Sequence, residues 1–386
     1  MDGYQLMTDH PQSRTQRVAT GVDRLLLDQL DELLEQSPSY RDLPVVVVNE
    51  TEGTVAAELR SRGMPLRVVQ DSALLFDRLR AQADLAHEPW DDVVSREILQ
   101  GAGTVLYRLP RPLEAVEETA WHVARWAKET VVLLAGARQK DLQRSVNDRL
   151  GQYFGHVSAS RGAYKARVIR ARDPHLPDAT RQTPPRIPRV NTDRVLDHEL
   201  ALRAYGLTFG AARVDPGTRL MLETILGTDH AFQDAIRGAG TAVDLGSGNG
   251  TVATVLGLET SIPQIIATDD SAAAVCATRA TLVANGLDNN SRFAVYHQPD
   301  TKQLADASVD LVVLNPPFHH GSSAVTRQIA LDLFVAAGRV LTANGLLVAV
   351  WNSGLQYRPH LERLVGPTTQ LARTKSFTVT ISEVTG

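Results

Sequence analysis

The chain has 386 residues, 43% of them hydrophobic and 22% charged, with a net charge of −4. That length suits two domains and that balance suits a soluble globular protein, while the negative charge excludes a globally basic nucleic-acid binder. No run of about 18 apolar residues is present to cross a bilayer, and the first twenty residues lack the apolar centre of a secretion signal, so a cytoplasmic protein with no membrane partner is expected.

Residues 1–20 read as a tail. From 21 to 180, short β-rich runs alternate with Ala/Leu-rich helical stretches, the pattern of a parallel sheet covered on both faces. Between Gly151 and Arg194 lie nine basic residues against three acids (Asp173, Asp178 and Asp193). This local excess reads either as a solvated linker or as an RNA-facing surface, carried by Arg161, Lys165, Arg167, Arg170 and Arg172. Residues 181–194, with Pro184, Pro185 and Pro188, read as a proline-stiffened connector.

Residues 195–386 follow the same plan more plainly. Strands are expected at 241–245, 264–268, 292–296, 309–314 and 345–350, with helices at 250–258, 272–285 and 324–338, which makes a doubly wound α/β sheet. The single cysteine, Cys276, excludes an internal disulfide and a cysteine-rich zinc site; in an Ala-rich helix it reads as a small buried apolar residue, and no metal is expected.

The halves echo each other. Gly53-Thr54-Val55-Ala56 matches Gly250-Thr251-Val252-Ala253, Val68–Ala73 matches Ala267–Ala272, and Val105–Pro110 falls where Val312–Pro317 does. They differ where chemistry would occur. The first turn, Asn49-Glu50-Thr51-Glu52-Gly53, lacks the two earlier glycines and adds two carboxylates, and Arg108-Leu109 stand in place of Asn315-Pro316. The first half is therefore expected to be a degenerate, non-catalytic copy.

In the second half, Gly246, Ser247, Gly248, Asn249 and Gly250 form a glycine-rich turn after a strand, where backbone can approach a nucleotide-like ligand closely. Asp269, with Asp270 beside it, lies about twenty residues on, placed to accept ribose hydroxyls. A dinucleotide site would want a further glycine spaced for pyrophosphate. Here acidic Asp244 precedes the turn, which repels pyrophosphate and suits the ammonium and sulfonium of S-adenosylmethionine.

After the strand 309–314 come Asn315, Pro316, Pro317 and Phe318. An exocyclic amine on a nucleobase is a poor nucleophile because its lone pair is delocalised into the ring. The Asn315 side-chain oxygen and the Pro316 carbonyl can accept its hydrogens, and Phe318 can stack on the base. His319 and His320 could contact RNA but read more simply as incidental loop residues.

These motifs resemble the bacterial ribosomal RNA guanine-N2 methyltransferases of the RsmC/RlmG type, over nearly the whole chain. The resemblance rests on Asn315–His319 with Gly321, on Asp244–Gly250, on Phe209–Thr218, and on Val350-Trp351-Asn352 with Leu355 and Tyr357. It implies two tandem Rossmann-like class I methyltransferase domains, the first degenerate and the second active, with Phe209 and Thr218 bordering the cofactor pocket. Ala135–Asp141 and Lys165–Ile169 look like segments of the large-subunit branch. Departures are His297-Gln298 where the family often has Ser-Asn or Asn-Asn, Ser247 for a cysteine or alanine, and Trp351 for a small residue; Gln298 can still meet the adenine edge.

The resulting expectation is transfer of methyl from S-adenosylmethionine to guanine N2 in ribosomal RNA, of the 23S molecule, by a monomer acting on RNA, a subunit or an assembly intermediate. Residues 21–180 would hold RNA and 195–386 would catalyse. The rivals are methylation of adenine N6 or a protein glutamine amide, and a non-catalytic RNA-binding assembly factor.

Overall fold

The computed structural model describes residues 19–81, 85–178, 187–287, 291–317 and 324–385. Seven strands make the first sheet: β1 (Val45–Val48), β2 (Leu66–Val69), β3 (Trp90–Asp91), β4 (Thr104–Arg108), β5 (Val132–Arg138), β6 (Phe154–Ala159) and β7 (Ala166–Pro174). β8 (Arg189–Val195) and β9 (His198–Ala204) pair as an antiparallel hairpin. The second sheet holds β10 (Thr241–Leu245), β11 (Gln264–Asp269), β12 (Phe293–His297), β13 (Val309–Leu314), β14 (Leu341–Asn352), β15 (Thr368–Arg373) and β16 (Phe377–Glu383).

Strand order in the first sheet is β3-β2-β1-β4-β5-β7-β6, and in the second β12-β11-β10-β13-β14-β16-β15. The two orders are the same, position for position. In each, the first five strands run parallel and the last two are added antiparallel. The duplication read from short sequence matches is thus a duplication of topology, and the expected tandem doubly wound architecture is present.

The central strands are buried on both faces, which is why Val45–Val48 is an unbroken apolar run with no alternation. Helix Gly21–Gln36 covers one face through Val22, Leu25, Leu26, Leu30 and Leu33, a stripe at helical spacing. It begins at a capping box in which Thr20 and Asp23 satisfy each other's backbone amides. In the second half, Phe334, Trp351 and Tyr357 pack edge to face on one side of the sheet.

The segment expected as a connector up to residue 194 is partly strand. Its composition is that of a linker, but β9 is tied to helix Ala272–Ala284 and its C-terminal cap. The Asn285 side chain accepts from Ala201 N (3.0 Å) and donates to Ala201 O (3.1 Å), and Thr281 Oγ1 accepts from Arg203 N (3.0 Å). Polar side chains of the helix thus supply the partners a further strand would have supplied, and β8 pairs onto β9.

The two halves meet around a local two-fold. The Asp71 carbonyl accepts from Ala272 N (2.9 Å) and its Oδ1 from Ala273 N (2.9 Å), while the Asp270 carbonyl accepts from Ala73 N (2.8 Å) and its Oδ1 from Leu74 N (2.9 Å). Each aspartate therefore satisfies orphan amides at the start of the other half's helix. His297 adds to the seam: its Nε2 lies 2.9 Å from Asp71 O, and its Nδ1 lies 3.2 Å from Asp92 Oδ2.

Candidate active site

β10 connects onward to β11 on one side and has β13 as its other neighbour, so the carboxyl ends of β10 and β13 flank the switch point where open α/β sheets bind ligands. Register pairs Leu245 with Leu314. The residues that follow them, Gly246 and Asn315, both line one cleft together with Phe209, Arg213, Asp215, Thr218, Asp244 and Gly248.

The glycines of the turn are there for different reasons. Gly246 and Gly250 have φ of 80° and 79°, in the left-handed region. A Cβ on Gly246 would meet nothing within 4 Å, so its side is left open to the cleft, whereas one on Gly250 would sit 2.9 Å from Thr278 Cα and force the adjoining helices apart. Gly246 N and Ser247 N both donate to Thr268 O, which folds the turn over the end of β11.

Two carboxylates are buried beneath this turn. Asp244 Oδ2 accepts from Ala253 N (3.0 Å), and burial, with the nearby charge of Asp269 adding, lifts its pKa to about 7. Asp269 accepts from Ser271 N (2.9 Å) and Gly248 N (2.8 Å), and burial lifts it to about 6 despite those bonds. Neither has a Lys, Arg or His ion-pair partner among the described residues. Buried acids without a counter-cation are costly to ionise, and a cationic ligand would relieve both.

Asn315 is held by two partners. Its Nδ2 donates to Asp215 Oδ2 (3.0 Å) and to Thr218 Oγ1 (2.8 Å). Its Oδ1 is buried and has no hydrogen-bond partner among the described residues. A buried acceptor left unpaired costs about 1–3 kcal/mol. Asp215 is itself fixed as the N-cap of helix Pro216–Gly227, accepting from Thr218 N (3.0 Å). Pro316 is buried and Pro317 exposed. Phe318, His319, His320 and Gly321 lie outside the described residues.

Several expected site residues turn out to have other employment. Asp270 spends its carboxylate on Ser72 Oγ (2.7 Å) and Leu74 N in the other half. The Asn249 side chain donates to Ala211 O and Arg213 O and accepts from Thr251 Oγ1, pinning the 209–213 segment over the turn. Ser247 Oγ pairs with Thr278 Oγ1. Gln298 follows β12 with its backbone amide donating to Asp269 O (2.8 Å). Phe209 is half-exposed at the lip. Asp215, 100 positions from Asn315 in sequence, lies within the Phe209–Thr218 stretch that carries the family resemblance, but nothing in that stretch announces its contact with Asn315.

The first half lacks this site for a visible reason. Asn49 keeps the left-handed φ (59°) of its counterpart Gly246, but Val47 replaces Asp244. Glu50 takes over the lost cap, its Oε2 accepting from Ala56 N (3.0 Å), the counterpart of Ala253 N, and Gln70 Nε2 donates to Glu50 O (2.6 Å). The turn is closed by the protein's own side chains. Of the basic residues, Arg161, Lys165 and Arg172 are exposed on and beside β7. Arg170 is turned onto helix Gly21–Gln36 through Gln29 O and Glu32, and Arg167 is half-buried.

Comparison with known proteins places this geometry. Residues 8–175 match the family described as RLMG N-terminal domain, and residues 199–381 match Methyltransferase small domain. A protein of Streptomyces coelicolor named ribosomal RNA large subunit methyltransferase G is 30% identical over 377 residues, covering 91% of this chain and 92% of that one. A protein of the same name from Shewanella denitrificans is 28% identical over 372 residues, 93% of this chain and 91% of the other. In fold, the chain superposes on the T. thermophilus 16S rRNA N2 G1207 methyltransferase (RsmC), solved with AdoMet and guanosine, with a TM-score of 0.75 at 22% identity, covering 97% and 94% of the two chains.

Proposed function

The chain belongs to the ribosomal RNA large subunit methyltransferase G family, and on that premise we propose that its second half moves a methyl group from S-adenosylmethionine to the N2 amine of a guanine in 23S ribosomal RNA. The observation that carries this is the unpaired, buried Asn315 Oδ1 beside the cleft.

When bound, S-adenosylmethionine supplies an electrophilic methyl on a sulfonium. The chain's own residues do the rest. Asp244 at the cleft and Asp269 beneath the turn balance the positive charge and offer acceptors for hydroxyl or amine hydrogens, and Gly246 leaves room for the ligand to lie against backbone. Asn315 Oδ1 and the Pro316 carbonyl accept the two N2 hydrogens, drawing the lone pair out of conjugation and toward the methyl. No strong base is required, since the nitrogen becomes acidic once alkylated, and the rate comes from positioning and polarisation. The guanine must leave its stack to reach the cleft, and Arg161, Lys165 and Arg172 on the first half offer phosphate contacts to hold the RNA.

The test uses purified protein with methyl-labelled S-adenosylmethionine and 23S or 16S ribosomal RNA, followed by nucleoside mass spectrometry. Label in N2-methylguanosine from 23S RNA is expected. Label in N6-methyladenosine or in a protein glutamine, or no transfer at all, would overturn the reading in favour of a different acceptor or an assembly role.

A further inference from the structure

A cavity of about 310 Å³ lies between the halves, over the carboxyl ends of β1, β2 and β3 of the first half. By the duplication this is where the cofactor site would fall in that half. The glycine-turn side is closed by Glu50 and Gln70, but the space beside it is not filled: Val48 and Val69 form one wall, and Ala273 and Cys276 of the second half face it.

The acidic groups in this cavity are all carboxylates, and the neutral Asn49, Ser95, Thr119 and Tyr205 beside them can both donate and accept. Glu118 is half-buried and its Oε2 accepts from Gly206 N (2.7 Å), the one hydrogen bond it makes among the described residues, so Oε1 is left as an acceptor. His122 Nδ1 is buried with no hydrogen-bond partner among the described residues. Burial pushes His122 down to about 4, so the ring is neutral at physiological pH and offers one nitrogen lone pair. Asp71 and Asp92 complete the carboxylates, and among the residues lining the cavity there is no lysine or arginine.

We propose that this interdomain cavity is a second ligand site, which takes a phosphate-free purine base or nucleoside. Acceptors surrounded by apolar wall favour a flat ligand rich in N–H donors, and the lack of any cation disfavours a phosphate inside the cavity. The volume exceeds what a bare base needs and suits a nucleoside. Glu118 Oε1 would take an N–H of the base, and His122 a second. Whether the base arrives free or as a flipped-out residue of the RNA, the recognising groups are the same.

The test is calorimetric titration of the full chain, presaturated with S-adenosylhomocysteine, with adenosine and with guanosine. One stoichiometric, saturable site is expected for at least one of them. Glu118→Gln should weaken it at least about tenfold, Val93→Trp at the exposed rim should weaken it by occlusion, and Asn315→Ala should leave it unchanged. Val93 is solvent-exposed, so that variant reads the site even if Glu118→Gln fails to fold. Competition by a short single-stranded RNA would mark the RNA as the source of the base; the free nucleoside is the source if RNA does not compete. No saturable binding at millimolar nucleoside overturns the proposal. So does binding abolished by Asn315→Ala and indifferent to both cavity variants, a result that would place the ligand in the methyl-transfer cleft and leave the proposed function standing.

Discussion

The Asp215 carboxylate lies 3.0 Å from Asn315 Nδ2, and this contact decides which way the Asn315 amide faces. A carboxylate can only accept, so the nitrogen must point to it and the oxygen must point away. Thr218 Oγ1 reinforces the choice at 2.8 Å. The acceptor needed for an amine substrate is therefore set before any substrate arrives, and its unpaired state in the free protein is a cost recovered on binding.

Asp215→Ala should release the amide to rotate and lower kcat at least about tenfold, with KM for the cofactor little changed. It should also cost about 0.5–2 kcal/mol of stability through the lost helix cap. Asp215→Asn, whose oxygen can still accept from both Thr218 N and Asn315, should restore most of the rate. Steady-state kinetics beside thermal melts of the three proteins would check this; equal kcat in all three would show that Asp215 only caps a helix.

Adjacent aspartates should behave differently. Asp269→Ala should weaken S-adenosylmethionine binding at least about tenfold, since it removes the carboxylate beneath the turn that holds Gly248 N at the cleft wall. Asp270→Ala should leave affinity within about threefold and instead lower stability by about 1 kcal/mol, because its carboxylate serves Ser72 and Leu74 of the other half. Calorimetric titration of both variants decides between these roles.

Much of the second half was legible because its central strands are short and mostly apolar, and β10 and β13 are closed by the glycine turn and the di-proline, so the period and the punctuation agree. Thr241–Leu245 and Val309–Leu314 match the expected strands at both ends, and the other ends differ by at most two residues, except for β14, which runs past both expected ends through the left-handed Asn344 near its start and out to Asn352. The hairpin β8–β9 escaped because its partners are side chains of a distant helix, which no local pattern announces. The same holds for the contact of Asp215 with Asn315, for the Asp71 and Asp270 reciprocity, and for Glu50, whose extra carboxylate reads as a loss of function but not as a replacement cap.

Stability should depend on pH through the buried acids. Asp244 and Asp269 stand at about 7 and about 6, above the ordinary 3.8, so between those values the folded chain holds more protons than the unfolded one. Their contribution to stability is therefore present below the ordinary carboxylate range and lost as pH rises through 6 and 7. Asp244→Asn should melt higher relative to the parent at about pH 8 than at about pH 5. Affinity of the parent for S-adenosylmethionine should move oppositely, rising with pH as the carboxylates ionise. Melting curves and titrations at the two pH values would show a constant difference if Asp244 were already ionised throughout.

RNA binding should divide the basic residues. Replacing Arg161, Lys165 and Arg172 together by alanine should weaken RNA binding and reduce the salt slope by up to about 2–3, at roughly 0.7–0.9 per phosphate contact. Arg170→Ala should act on stability, since its guanidinium rests on Gln29 O and near Glu32. Filter binding over a salt series separates them; an unchanged slope in the triple variant would remove β7 and its flanking loop from the RNA surface.

The most direct measurement is mass spectrometry of 23S ribosomal RNA nucleosides from cells lacking the gene and complemented with either parent or Asn315→Ala protein. Loss of one N2-methylguanosine on deletion, restored by the parent and not by Asn315→Ala, whose turnover should fall about a hundredfold with cofactor affinity retained, is the expected result. An unchanged N2-methylguanosine content on deletion, or full restoration by Asn315→Ala, would contradict the assignment of that side-chain oxygen to the transferring site.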